Sequence, residues 1–474
     1  MGRSLKNFYR KGNLEAVLKK DFTCLRVIHD QLSTSILTIM YIEIEFKERI
    51  SFNMYTIDFE EKYVDLHYKL QLLQWENYFN SSSHDLNNID NEIFNICSLY
   101  FHNLKGENRK AVVANLLILR AIVDKNTEIS NIRNRLDNLD SYSILIPKNF
   151  YRSSLEYKIY LAEKMKEDVL ELMTLRNEVS KKLSGYTYPE LVFQTEELPR
   201  DTVVHILNEY VEKNIPKVKD FIKKHNMTWD NWFNDLKNIG VYKKNINSLD
   251  LVNKLLSILG LNSFNNKLSI TTSIDGYTGY AAEVTKNHIR MVVSPTDTLY
   301  DLTGLFHEFG HVLCYGLNDE EGLYRLLSSS YDEALAVVME YIAPMLVLGD
   351  EEQKALAEIR TLEYTRCALS ALYEIELWEN PKKAEELYLK QYQWLGLDIR
   401  NPSLWVLDSF RSIDPVYIQN YVIGAVLAEK LISFLENRFQ DNYKAWGMWL
   451  YKNIYSDGRK RPLIEKVKNI LSLS

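Results

Sequence analysis

The stretch LTGLFHEFGHVLCYGL, Leu302–Leu317, places two histidines four residues apart, with a glutamate directly after the first. On a helix, side chains four residues apart lie on one face, about 5–6 Å from each other, so His307 and His311 can direct both imidazoles at one ion. Glu308 is rotated by roughly 100° about the helix axis, which keeps it from being a third ligand but near a metal-bound water. The pattern predicts a catalytic zinc site with Glu308 as its general base. The alternative is an amphipathic helix that carries two histidines and no metal.

A catalytic zinc needs a third protein ligand and an open fourth position for water. No histidine follows His311 in the chain, so the third ligand has to be a downstream Asp or Glu, or an earlier His. The segment SSSYDEALAVVMEYIAPML supplies Glu333 among apolar neighbours, where a buried carboxylate needs a partner. Glu340 lies seven residues later on the same face and is expected to hydrogen-bond a ligand imidazole. We therefore expect one Zn²⁺ per chain, bound by His307, His311 and Glu333.

Composition and charge narrow the class of protein. With 46% hydrophobic and 26% charged residues among 474, the chain can bury a large core. A net charge of -7, with basic and acidic residues interspersed, argues against nucleic acid as a partner. The sequence shows no signal peptide, no segment that would span a membrane and no paired cysteine spacing, so a cytoplasmic protein with reduced thiols is expected. No particular oligomeric state is predicted.

Apolar residues spaced at three and four along most of the chain predict a mainly α fold. We expect residues 1–190 to form an N-terminal helical half and residues 191–474 a catalytic half of one continuous fold. One region, Leu268–Pro295, has β-branched and aromatic runs broken by turn residues, and predicts a small antiparallel sheet beside the active-site helix. That helix has three candidate N-cap residues, Thr296, Asp297 and Thr298.

The motif HEFGH followed by DEALAVVME resembles the glutamate-zinc peptidases, specifically the thimet oligopeptidase and oligopeptidase F family, with carboxypeptidase Taq as a more distant relative. LRNEVSKKLSGYTYPEL, Leu175–Leu191, is similar to the helix and turn that these enzymes carry before the metal motif. The resemblance implies an elongated helical body divided by a deep substrate channel, with a small sheet whose edge strand holds the substrate backbone. By this resemblance HIRMVVSP, His288–Pro295, would be the edge strand, and His288 would lie near the substrate.

The same group of enzymes uses tyrosines near the C-terminus to stabilise the oxyanion. Tyr417 and Tyr421 are four residues apart in SIDPVYIQNYVIGAVLAEKL, a spacing most similar to carboxypeptidase Taq. Packing is the alternative role for this pair, because the chain has 31 tyrosines. Where the oligopeptidases have a histidine just upstream, this chain has Arg411 or Ser412, and Arg411 would then bind a substrate carboxylate.

These patterns predict zinc-dependent hydrolysis of peptide bonds in short unfolded peptides, as in an oligopeptidase, with a peptide substrate as the partner. One alternative is a metallocarboxypeptidase of the Taq type, which would release single C-terminal residues instead of cleaving internally. Another is a catalytically inactive helical peptide-binding protein, which would hold zinc and hydrolyse no peptide.

Overall fold

A computed structural model describes residues 57–77, 79, 84, 86–101, 108–137, 155–229, 232–239, 247–263, 268–272, 279–293, 298–397, 399, 401–407 and 414–471. The chain divides into two compact units, Met1–Ile57 and Asp58–Ser474, and the architecture below is that of the second. The predicted halves meet within this second unit, and their division remains a prediction.

Helices dominate the unit, which confirms the mainly α fold predicted from apolar spacing. The helices before the sheet are α1 (57–77), α2 (Asn87–Tyr100), α3 (Arg109–Asp124), α4 (Thr127–Asp137), α5 (Leu155–Ser184), α6 (Tyr188–Thr195), α7 (Arg200–His225), α8 (Trp232–Asn238) and α9 (Ser248–Ile258). Those after the sheet are α10 (Leu299–Gly316), α11 (Ser329–Val347), α12 (Asp350–Glu379), α13 (Ala384–Gln393), α14 (Gln419–Phe439), α15 (Tyr443–Leu450) and α16 (Leu463–Leu471). None of the described helices is both long and apolar enough to cross a membrane.

Three short strands form one sheet: β1 (Leu268–Thr272), β2 (Gly279–Thr285) and β3 (His288–Val293). Their order is β1-β3-β2, with β3 parallel to β1 and antiparallel to β2. The sheet is therefore mixed, and the predictions of an antiparallel sheet and of HIRMVVSP as an edge strand are both wrong. The turn at Lys286 and Asn287 joins two neighbouring strands, β2 and β3, and Asn287 adopts a left-handed φ of 63° in it. β1 and β2, which also follow each other along the chain, are not neighbours in the sheet. β3 has a strand on each side, and most of its side chains are buried.

Among the three helices that carry the predicted site, α11 packs against both α10 and α14, and each of these two contacts has a glycine in it. A Cβ on Gly310 of α10 would lie 2.4 Å from the Cα of Ala336 in α11. A Cβ on Gly424 of α14 would lie 2.7 Å from the carbonyl oxygen of Ala334, also in α11. The helix backbones are thus in direct contact, closer than any larger residue would allow.

The starts of α10 and α11 are fixed by side-chain caps. Thr298 accepts a hydrogen bond from the backbone N–H of Asp301, and the Asp301 carboxylate accepts one from the N–H of Thr298. Of the three predicted candidates, Thr298 is therefore the N-cap. Ser328 caps α11 by accepting a hydrogen bond from the N–H of Tyr331. Such caps typically contribute about 1 kcal/mol each.

Among the described cysteines, Cys97, Cys314 and Cys367 are buried and no disulfide bond joins any two of them. The prediction of reduced thiols remains a prediction. Cys24 lies outside the described residues.

Candidate metal centre

The structure brings the three predicted metal ligands together from two helices. The ligand atoms of His307, His311 and Glu333 all lie within 4.8 Å of one another. The two histidine Nε2 atoms are 3.1 Å apart. The Glu333 carboxylate lies 3.2 Å from Nε2 of His307 and 3.7 Å from Nε2 of His311. One small ion could therefore contact all three side chains.

The other nitrogen of each imidazole faces a carboxylate. Nδ1 of His307 is 2.8 Å from Oε1 of Glu340, and Nδ1 of His311 is 2.8 Å from Oδ1 of Asp332. A carboxylate at Nδ1 favours a hydrogen on that nitrogen and leaves the lone pair on Nε2, which is the tautomer that binds metals in this arrangement. The predicted contact of Glu340 with a ligand imidazole is thus present, whereas Asp332 was missed. Its signal in the sequence is its place directly before Glu333.

Tyrosine hydroxyls in turn hold these carboxylates. Tyr364 donates a hydrogen bond to Glu340, and Tyr315 donates one of 2.5 Å to Asp332. Tyr417 donates to Oε1 of Glu333 itself. Tyr315 and Tyr364 were not predicted, because only the crossing of the helices places them here.

The site holds much more negative than positive charge. Four carboxylates, those of Glu308, Asp332, Glu333 and Glu340, are buried or nearly so around the two imidazoles. Within the described part of the chain, no Lys or Arg side chain pairs with any of them. Burying unpaired carboxylates is costly, so a cation is expected among them.

The donor set fits a divalent metal. Oε2 of Glu333 is buried and, among the described residues, accepts no hydrogen bond of good geometry, although His307 is near. Two imidazole nitrogens and one carboxylate oxygen are a ligand set that Zn²⁺ takes in catalytic sites, with the fourth position left for water. The residues present therefore fit zinc.

The pKa values of these groups show how strongly the carboxylates attract positive charge. Burial lowers the pKa of His311, but Asp332 and Glu333 raise it more, to about 9. Burial raises the pKa of Glu333, but His311 and His307 lower it further, to about 2. Without a metal, a proton on an imidazole thus supplies the positive charge. Because the two Nε2 atoms face each other, both cannot carry a proton there at once.

Glu308 lies beside the triad, against the first residue of β2. Burial raises its pKa to about 7, although His311 and His307 lower it. A Cβ on Gly279 would lie 2.5 Å from Cγ of Glu308, so only glycine leaves room for this side chain. The sheet thus forms one wall around the predicted general base, a contact that the sequence did not indicate.

The two predicted tyrosines both reach the site. The Tyr421 ring centroid lies 5.8 Å from that of His307 and 6.0 Å from that of Tyr417. Burial, together with the charge of Glu333, raises the pKa of Tyr421 well above its usual value, so its hydroxyl stays protonated. Since Tyr417 already donates to Glu333, the two hydroxyls have different surroundings.

The structure does not bring His288 to the triad. His288 is exposed and pairs with Thr285 at one end of the sheet, whereas Gly279, which contacts Glu308, pairs with Val293 at the other end of β3. At about 3.3 Å per residue, His288 lies roughly 17 Å along the strand from Val293. Arg411 lies outside the described residues.

Comparisons with known proteins find similarity in structure only. No protein-family model and no curated protein matches the sequence. An M32 carboxypeptidase from Deinococcus radiodurans matches with a TM-score of 0.62 at 12% identity, over 90% of this chain and 96% of that one. A carboxypeptidase from Pyrococcus furiosus matches with 0.62 at 14%, over 89% and 95%. PZ peptidase A, solved with an inhibitor, matches with 0.68 at 11%, over 90% and 93%. At these identities the similarity concerns the fold.

Proposed function

We propose that this protein is a zinc-dependent peptidase and that it acts as a carboxypeptidase. The observation that carries the proposal is the group of four carboxylates around two imidazoles, to which no Lys or Arg among the described residues is paired. Two structural neighbours are named carboxypeptidases, and the spacing of Tyr417 and Tyr421 favours the same choice. Internal cleavage, as in an oligopeptidase, is the second candidate, because HEFGH followed by DEALAVVME resembles that family and PZ peptidase A, which is named a peptidase and not a carboxypeptidase, has an equally extensive similarity.

His307, His311 and Glu333 would hold the metal, and Glu340 and Asp332 would orient the two imidazoles. When bound, zinc polarises a carbonyl group and lowers the pKa of water toward about 7. The Glu308 carboxylate accepts a proton from the attacking water and then delivers it to the leaving amine. The contact with Gly279 keeps this carboxylate beside the ligands and limits its motion.

Tyr421 is the better candidate for stabilising the oxyanion. Tyr417 donates its hydrogen bond to Glu333 and so is used in holding a ligand, whereas the Tyr421 ring faces His307. A protonated hydroxyl can donate to the negative oxygen that develops as water attacks. Loss of one such donor typically lowers the rate by about 10²–10³.

The first experiment measures metal content and products. Purified protein should bind about one zinc per chain. It should release single residues from a peptide with a free C-terminus and leave the C-amidated form of that peptide intact. Cleavage of both forms at internal bonds would favour the oligopeptidase. Stoichiometric zinc with no hydrolysis of either form would overturn the enzymatic proposal and favour the peptide-binding alternative.

The Glu308→Gln variant tests the general base. It should retain zinc, because Glu308 is not a ligand, and its kcat should fall by about 10²–10⁴ as proton transfer is lost. Zinc content and kcat are measured on the same preparation. If turnover persists at the level of the unchanged protein, Glu308 has no part in the reaction.

A further inference from the structure

A cavity of about 190 Å³ adjoins the metal centre. It is smaller than the roughly 300–1,000 Å³ that enclose a whole small-molecule ligand, so it suits a single side chain. Asp332, which holds His311, and Tyr417, which holds Glu333, both lie in its wall. The wall also includes His67, Gln71, Glu283, Tyr315 and Arg325.

The one arginine in the cavity wall has no N–H group left for a ligand. Its Nε donates to Glu283 at 3.0 Å. One terminal nitrogen donates to the carbonyl oxygens of Asn318 and Glu320, at 2.5 and 3.3 Å. The other donates to Glu283 and to the carbonyl oxygen of Tyr315, at 2.5 and 2.9 Å. All five N–H groups of Arg325 are therefore used, and a substrate carboxylate would find no free guanidinium here.

The carboxylate of Asp332 has capacity left for accepting hydrogen bonds. Each oxygen of Asp332 accepts one bond, from His311 or from Tyr315, and a carboxylate oxygen has room for a second. The charges of Glu283 and Arg325 cancel. The two positive charges of a bound zinc would offset only part of the charge of Glu333, Glu340 and Asp332, so Asp332 keeps this wall negative. Burial holds the pKa of His67 at about 4, so this ring adds no positive charge at neutral pH.

We propose that this cavity binds a basic side chain, Lys or Arg, of a peptide substrate while a neighbouring peptide bond lies at the metal centre. A lysine ammonium brings three donors and one positive charge to a wall that offers the spare acceptor positions and the negative charge of the Asp332 carboxylate. An acidic side chain would meet Asp332 with like charge and no free cation. The inference rests on the proposed function, because it takes the ligand to be part of a peptide.

A substitution of Gln71 changes the charge of the cavity at a position that does not contact the metal ligands. Gln71 projects from α1, and Gln71→Glu or Gln71→Lys adds one negative or one positive charge at the same position. Gln74 is the matched control, since it lies on the same helix, is also half-buried and does not line the cavity. Gln74→Glu and Gln74→Lys change the net charge of the protein equally.

The experiment compares three peptides that differ at one position, with lysine, norleucine or glutamate, and repeats the comparison at each position. With zinc-loaded protein, lysine should exceed norleucine in kcat/KM by about tenfold at one position. Gln71→Glu should raise that ratio, and Gln71→Lys should lower it by about tenfold or more, whereas the Gln74 variants should leave it within about twofold.

Binding of the same peptides to the Glu308→Gln protein, measured by calorimetry, separates the cavity from catalysis. One outcome is that the unchanged protein hydrolyses none of these peptides while the lysine peptide still binds to Glu308→Gln about tenfold tighter than the norleucine peptide. In that case the proposed function fails and the cavity proposal stands. Equal binding and equal kcat/KM of the two peptides at every position would overturn the cavity proposal, even if the protein is an active peptidase. Preference for glutamate, or equal shifts from the Gln71 and Gln74 variants, would overturn it as well.

Discussion

Two buried groups of charges border the same cavity, and they balance their charges in different ways. Both carboxylate oxygens of Glu283, on β2, accept hydrogen bonds from the Arg325 guanidinium. The Tyr68 hydroxyl donates a further hydrogen bond to the Glu283 carboxylate. At the metal centre, the hydrogen-bond partners of the carboxylates within the described part of the chain are imidazoles and tyrosine hydroxyls. The first group is complete within the chain. The second needs a cation from outside, so the difference separates a structural ion pair from a binding site.

The largest effect is expected on stability when the complete pair is broken. Glu283→Gln leaves the Arg325 guanidinium buried without its counter-charge, which typically costs about 3–5 kcal/mol in the free energy of unfolding. Zinc content should not change, because Glu283 does not contact the ligands. Urea denaturation and metal analysis measure the two outcomes. A loss below about 1 kcal/mol would mean that the pair is compensated elsewhere.

At the metal centre, in contrast to the Glu283–Arg325 pair, stability should depend on zinc. Zinc at about 1,000 times its dissociation constant should raise the free energy of unfolding of the unchanged protein by about 4 kcal/mol, since zinc binds the folded state. In Glu333→Gln the same zinc concentration should add little, because one of the three ligands is lost. Thermal or urea unfolding with and without zinc measures both values. Equal stabilisation in this variant would place the third ligand elsewhere.

Substitutions of the two tyrosines should have smaller effects, one on turnover and the other on zinc affinity. Tyr421→Phe should lower kcat by about 10²–10³ with zinc affinity unchanged, as expected for an oxyanion donor. Tyr417→Phe should instead weaken zinc by about 10–100-fold, because it removes the hydrogen bond to Glu333. Zinc titration and kcat are measured for both variants. The roles would be exchanged if Tyr417→Phe kept full zinc affinity and lost turnover.

The smallest effect concerns His67, in the wall of the same cavity. Burial, with help from Lys125, lowers its pKa to about 4 in the folded protein, against about 6.5 when unfolded. Between these values the unfolded chain takes up a proton that the folded one does not, so stability falls as pH falls from about 6.5 to 4. The loss should be roughly 2 kcal/mol, allowing for the partial exposure of the ring. His67→Gln should remove this part of the pH dependence in urea unfolding, and an identical pH profile would contradict it.

The features that could be predicted from the sequence are those that depend on residues close together in the chain. The helices and the histidine pair depend on spacings of three and four residues, which are local, so the mainly α fold was accessible. The roles of Asp332, Tyr315 and Tyr364 depend on which helices cross, which local spacing does not encode. The prediction of the sheet was wrong for the same reason, because turn residues show where a strand ends but not which strand it pairs with.

The contacts at Gly310 and Gly424 have a consequence for engineering. Since main chains touch there, the relative position of α10, α11 and α14 does not depend on side chains that could be exchanged. One added methyl group at either glycine would wedge two helices apart and separate imidazole from carboxylate. When variants are selected for new substrate preferences, we therefore expect the substitutions to lie on α1 and around the cavity. Gly310 and Gly424 should tolerate no replacement.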